Sequence, residues 1–179
     1  MRPPRRLELP HLEKELLQLA SDSQQIRRRE PVTVGELRAR EIVDIRNTQA
    51  LGRIVDEHGW PGHRLVGVNG AAAAWLIAHH SDHDLAFQLR ALGLLERAVQ
   101  RGDATLQQLA YLTDRTRLRT GIPQIFGTQY VLRHGACVLW DVEQPEGLER
   151  RRRDAGLPPM AEYASLLRSG TVRTIGGDA

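Results

Sequence analysis

Apolar residues recur at helical spacing along most of this chain, and polar residues gather where those stripes end. Leu12, Leu16, Leu19 and Ala20 alternate with Glu13, Lys14, Glu15 and Gln18, which predicts an amphipathic helix from Leu12 to about Arg29. Arg27, Arg28 and Arg29 fall in its last turn, where cations suit the helix dipole, and Pro31 stops it. A second helix is expected from about Val34 to Glu57, carrying Leu37, Ile42, Ile45, Leu51, Ile54 and Val55. His58-Gly59-Trp60-Pro61-Gly62 ends it, with a glycine followed by a proline, and Trp60 is placed to plug the junction that follows. Val68 to His80 reads as an Ala-rich third helix whose small side chains admit close neighbours. Ser81 or Asp82 is the expected N-cap of a fourth, Leu85 to Arg101, striped by Leu85, Leu89, Leu92, Leu95 and Val99 and closed by Gly102. A fifth helix spans about Leu106 to Arg119 and ends at Gly121.

The texture then changes. Thr128 to Leu132 and Ala136 to Trp140 flank Arg133-His134-Gly135, the pattern of a short β-hairpin near residues 128–140. Leu148 to Ala155 and Met160 to Leu167 predict two short closing helices around Gly156-Leu157-Pro158-Pro159. The expected architecture is a mainly α, single compact multi-helix domain of five to seven helices over residues 11–168. Residues 1–10 form a flexible basic tail and 169–179 a frayed one.

Composition sharpens this reading. Aromatic content is 4% against 41% hydrophobic, so the core is built from aliphatic residues, which suits packed helices better than a β-sandwich. Net charge is +3, and the single lysine, Lys14, leaves Schiff-base catalysis only one candidate in a solvated stretch. Cys137 is the lone cysteine, so no intramolecular disulfide forms, and its apolar strand-like setting makes it a small hydrophobe rather than a nucleophile. Neither a signal peptide nor an apolar run of the roughly 20 residues a bilayer requires is present. A cytoplasmic location without membrane contact is the expectation.

Candidate chemistry lies between Ala71 and Gln129. The third helix ends in His79-His80-Ser81-Asp82-His83-Asp84, which holds three of the seven histidines. His79 and His83 stand four apart, as zinc ligands do on a continuous helix, but Ser81-Asp82 reads as a break and no third ligand presents itself. No P-loop, dinucleotide fingerprint or nucleophile elbow occurs, so neither metal nor cofactor is expected. An imidazole near a carboxylate can act as a general acid or base, which singles out His80 with Asp114, a residue able to approach from another helix. The bland alternative for Asp114 is an ion pair with Arg115 or Arg117. Gln124, Thr128 and Gln129 stand on a Gly-bracketed loop and could read a polar substrate or satisfy buried backbone, while Arg115 could clamp an anion.

The series Gly59-Trp60-Pro61, His80 with Asp82, Gln88, Ala110-Tyr111-Leu112 with Asp114-Arg115, and Pro123-Gln124 with Gly127-Thr128-Gln129 resembles the bacterial domain-of-unknown-function family 6624. The Arg-rich segment ending Ala155-Gly156-Leu157, followed by Tyr163, is similar too. Order and spacing carry the match, from about Leu12 to Tyr163. Phe126 departs from it, because the family pattern has a tyrosine before Gly-Thr-Gln. The resemblance implies that His80, Asp114, Arg115, Gln124 and Gln129 belong to one site, and it brings no reaction.

Two function classes follow. One is a small enzyme without a bound cofactor, acting on a small polar molecule by hydrolysis, elimination or isomerisation. In it, His80 and Asp114 are catalytic, and Arg115, Gln124, Gln129 and Thr128 bind substrate. The other is a non-catalytic module that binds a protein or ligand through its polar loop and Arg-rich helix. Nucleic acid is not an expected partner, because Glu30, Glu149 and Asp154 flank the arginine runs and no aromatic residue interleaves them. Self-association as a homodimer is left open.

Overall fold

A computed structural model describes residues 9–27, 33–133 and 136–168, and side chains are described outside 132–137 and 166–168. Residues 1–8 and 169–179 of the expected tails, Arg28 and Arg29, the stop at Pro31, the His134-Gly135 turn and the setting of the Cys137 side chain lie outside this description, whereas Pro10, expected in the tail, opens the first helix. The described residues are mainly helical, with seven α-helices and one two-stranded antiparallel sheet. They divide into two compact units, residues 1–104 and 105–179.

The first unit holds α1 (Pro10–Arg27), α2 (Val34–His58), α3 (His63–His79) and α4 (Leu85–Gln100). Helix α1 packs on α3 and α2, burying Leu12, Leu16 and Ala20 at the spacing read from the sequence. The buried alanines of α3 (71, 73, 74 and 78) let its neighbours come close, as expected. At Gly70 the approach is close, because a Cβ there would stand 3.2 Å from Glu13 Cγ of α1. Helix α2 begins in a complete capping box, with Thr33 Oγ1 accepting from Glu36 N and Glu36 Oε2 accepting from Thr33 N. It ends at Gly59, whose φ of 74° favours glycine, and Trp60 is buried just beyond.

Two boundaries differ from the expectation. Helix α3 starts at His63 rather than Val68, with a kink at Gly67 where φ is 74° and ψ is 173°. Its N-cap, Gly62, has no side chain to offer, and Asp103 substitutes for one. The Asp103 carboxylate accepts from Arg64 N at 2.8 Å, and its carbonyl accepts from His63 N at 2.9 Å. The N-cap of α4 is Asp84 rather than Ser81 or Asp82, with its carboxylate 2.9 Å from Phe87 N. Ser81 Oγ is engaged by Ile77 O and Thr48 Oγ1, and Asp82 by Gln88, so neither is available for capping.

The second unit holds α5 (Leu106–Arg119), β1 (Tyr130–Arg133), β2 (Ala136–Leu139), a 3-10 turn at Pro145–Gly147, α6 (Leu148–Asp154) and α7 (Met160–Arg168). The strands form the expected hairpin, with Tyr130 opposite Leu139 and Val131 opposite Val138. Ala110, Ala155 and Leu157 make a small buried cluster, against which Tyr111 and Phe126 pack. Phe126 thus supplies packing surface. None of the described helices is long and apolar enough to cross a membrane.

Candidate functional site

In the second unit, loop 122–129 is tied down from both sides, beginning with Asp114 on the inner face of α5. Its Oδ1 accepts from Ile125 N at 2.7 Å and Phe126 N at 3.0 Å. Its Oδ2 accepts from Thr128 N at 3.0 Å, Thr128 Oγ1 at 2.9 Å and Phe126 N at 3.1 Å. Burial pushes the carboxyl above its ordinary value, against the pull of these hydrogen bonds.

Gln124 performs the complementary task. Its amide donates to Gln129 O at 3.0 Å and Trp140 O at 2.8 Å, and its Oε1 accepts from Gln129 N at 2.8 Å. The side chain so occupies the place of a ladder rung between loop and hairpin. Gln129 donates from Nε2 to Thr128 Oγ1 at 3.0 Å and accepts from Arg115 Nη1 at 3.4 Å. Asp114, Arg115, Gln124, Thr128 and Gln129 therefore form one buried network within this unit. Arg115 turns to Gln129, and Arg117 forms its ion pair with Glu143.

The loop carbonyls are held by arginines of α5 and α6. Arg117 Nε donates to Pro123 O at 2.6 Å and Arg151 Nε to Ile125 O at 2.8 Å. Arg152 Nη1 donates to Phe126 O at 2.6 Å and Gly127 O at 3.1 Å, and its Nε to Pro158 O at 2.8 Å. Arg152 is fully buried, with its guanidinium 5.0 Å from the Tyr163 ring centroid. Within the run Arg150 to Arg153, only the first and last face solvent. The missed signal was local, since Arg152 stands on the same side of its short helix as buried Leu148 and Ala155.

His80 belongs to the first unit, at the C-terminal end of α3. Its Nδ1 lies 3.1 Å from Ser23 Oγ. Arg27 Nη1 donates to the same Oγ at 2.6 Å and to Ser23 O at 3.1 Å, while its Nη2 reaches Asp44 Oδ2 at 2.5 Å. Four side chains from three helices therefore stand in a row: His80, Ser23, Arg27, Asp44. Burial raises the Asp44 carboxyl above its ordinary value despite Arg27, with His83 pulling it down and Asp82 pushing it up. The ring of His79 is fully buried and centred 5.4 Å from that of Trp75, whereas His83 is exposed, so the pair does not share an environment. Among the described residues no group of three or more His, Cys, Asp or Glu could hold a metal ion. Gln88 ties the same helix end, donating to Ala78 O, His79 O and Asp82 Oδ1.

The sequence pattern had not linked Ser23, Arg27 and Asp44 to His80. Yet the buried stripe Leu12, Leu16, Ala20 continues along α1 into Ser23 and Arg27. Polar residues that prolong an apolar stripe point to a buried polar centre.

No curated protein and no solved structure gives a significant match to this chain. A family model described as a family of unknown function, DUF6624, matches residues 10–173, and the chain belongs to that family.

Proposed function

We propose that this chain is a small enzyme that performs acid–base chemistry on a small polar molecule, with His80 as the proton-transferring group. One observation carries the reading: a buried imidazole 3.1 Å from a buried serine hydroxyl that an arginine also engages at 2.6 Å. Ser23 Oγ has two lone pairs, so it can accept from both Arg27 Nη1 and His80 Nδ1. In the tautomer we assign, Nδ1 carries the proton and the Nε2 lone pair serves as the base. Asp44 orients Arg27, Arg27 orients Ser23, and Ser23 fixes the ring, which is the support a general base requires. Hydrolysis, elimination and isomerisation all use such a base. In the second unit, Asp114 and Gln124 act by positioning loop 122–129, and Arg115, Thr128 and Gln129 complete its support.

A second reading, a non-catalytic binding module, is favoured by that same loop. Asp114 accepts from backbone amides, and Gln124 donates to backbone carbonyls and accepts from a backbone amide, which leaves a rigid loop suited to presentation rather than to chemistry.

The test is turnover of a panel of small esters, amides and hydroxy acids, followed by proton NMR with wild type, His80→Asn and Ser23→Ala. The enzyme reading expects one class to be converted by wild type and slowed at least about 100-fold by His80→Asn. Ser23→Ala should leave a smaller residual defect, since it loosens the ring without removing the base. Conversion that is equal in wild type and His80→Asn, or absent for every class, would sink the enzyme reading in favour of the module.

A further inference from the structure

The first three turns of α2 carry an apolar stripe that faces away from the first unit's core. Val34 is 68% exposed, Leu37 50%, Ile42 67% and Ile45 36%. At 3.6 residues per turn these four share one side of the helix with Arg38 and Glu41, which are also exposed. The opposite side, with Ala39, Arg40, Val43 and Asp44, is partly buried. Such a stripe is not a solvated face of the ordinary kind, because its large aliphatic residues outnumber its charges.

The order of residues along the stripe says what covers it. Turned end for end, the stripe matches itself about the midpoint between Ala39 and Arg40. Val34 then falls opposite Ile45, Leu37 opposite Ile42, and Arg38 opposite Glu41. An antiparallel pair of these segments related by a two-fold axis therefore sets apolar residues against apolar ones at both ends. It also sets opposite charges against each other twice at the centre. In a parallel pair, Arg38 would meet Arg38 and Glu41 would meet Glu41, which like-charge repulsion disfavours.

We infer that the exposed face of α2 from Val34 to Ile45 is a self-association surface, occupied by the same segment of a second copy in antiparallel register. The contact is about 17 Å long at 1.5 Å per residue, short for a permanent dimer, so a reversible one with a dissociation constant of roughly 1–100 μM is expected.

The test is sedimentation velocity of the full chain from about 1 to about 500 μM, with charge-swapped variants alongside. Wild type should pass from monomer to dimer across that range. Arg38→Glu and Glu41→Arg should each weaken the dimer about tenfold by placing like charges at both central contacts. The double swap Arg38→Glu with Glu41→Arg should return the affinity of wild type, because each pair is then rebuilt with its signs exchanged. Both substitutions lie on exposed positions, so the thermal midpoint of each dilute variant serves as the folding control. A dimer indifferent to the single swaps, or one the double swap fails to restore, would overturn the register and with it the proposal. A monomer throughout would assign the stripe to a different partner and overturn it equally.

Discussion

A buried carboxylate is costly unless its lone pairs are filled, and Asp114 fills them with three backbone amides and one hydroxyl. Its neighbour in space, Gln124, offers a donor and an acceptor at once and can pair with two carbonyls and an amide. The two side chains are not interchangeable with near-isosteres. In Asp114→Asn, one oxygen becomes an NH2 that faces N–H groups, leaving a buried amide unpaired. We expect a loss of about 3 kcal/mol in urea unfolding, read from the midpoint at constant slope. A loss below about 1 kcal/mol would mean that the loop keeps its shape without the carboxylate. The sequence singled out both residues, Asp114 as a carboxylate able to approach His80 from another helix and Gln124 as an amide on a Gly-bracketed loop. What they bond to was not legible, because side chains that complete a loop's backbone pairing look the same in sequence as side chains that read a substrate. Ser23 was overlooked for the converse reason: a single serine on a helix carries no motif, and only its place on the buried stripe marks it.

At the scale of elements, periodicity and caps located the helices, and the exceptions have physical causes. Helix α3 is capped by Asp103, which lies far along the chain, so nothing near His63 announces a start. Gly67 looks like a breaker, and in the folded chain it is a kink whose φ of 74° and ψ of 173° suit glycine almost alone. Gly67→Ala should therefore cost about 2 kcal/mol in thermal or urea unfolding. An alanine tolerated at under about 0.5 kcal/mol would show that the chain can enter α3 by a regular helical path. The short arginine-rich α6 shows the limit of charge runs as a guide. Over only two turns, Arg151 and Arg152 serve loop carbonyls while Arg150 and Arg153 stay in solvent, and only the spacing of Arg152 from Leu148 and Ala155 separates it from its neighbours.

Across the whole molecule, each compact unit contains a carboxylate that burial pushes up, Asp44 in the first and Asp114 in the second. Both folded values lie above the unfolded one, so just above the ordinary carboxylate value the folded chain binds more protons than the unfolded chain. Stability from these two groups is therefore greatest on the acid side and falls as pH rises through their folded values, opposite to a carboxylate stabilised by a surface ion pair. Asp22, partly exposed and lowered by Gln18 and Arg46, works in the opposite sense, and solvent screening keeps its share small. Asp44 is the cleaner probe, because Asp44→Asn removes the titration and keeps an oxygen for Arg27 to bind. Urea unfolding of both proteins from about pH 4 to about pH 7 should show wild type losing stability relative to Asp44→Asn as pH rises. A gap that widens in favour of wild type with rising pH would mean that Arg27 outweighs burial at Asp44. The row from Asp44 to His80 would then be a strongly ionised ion-pair array, and the acid–base reading of His80 would have to accommodate a full negative charge at its far end.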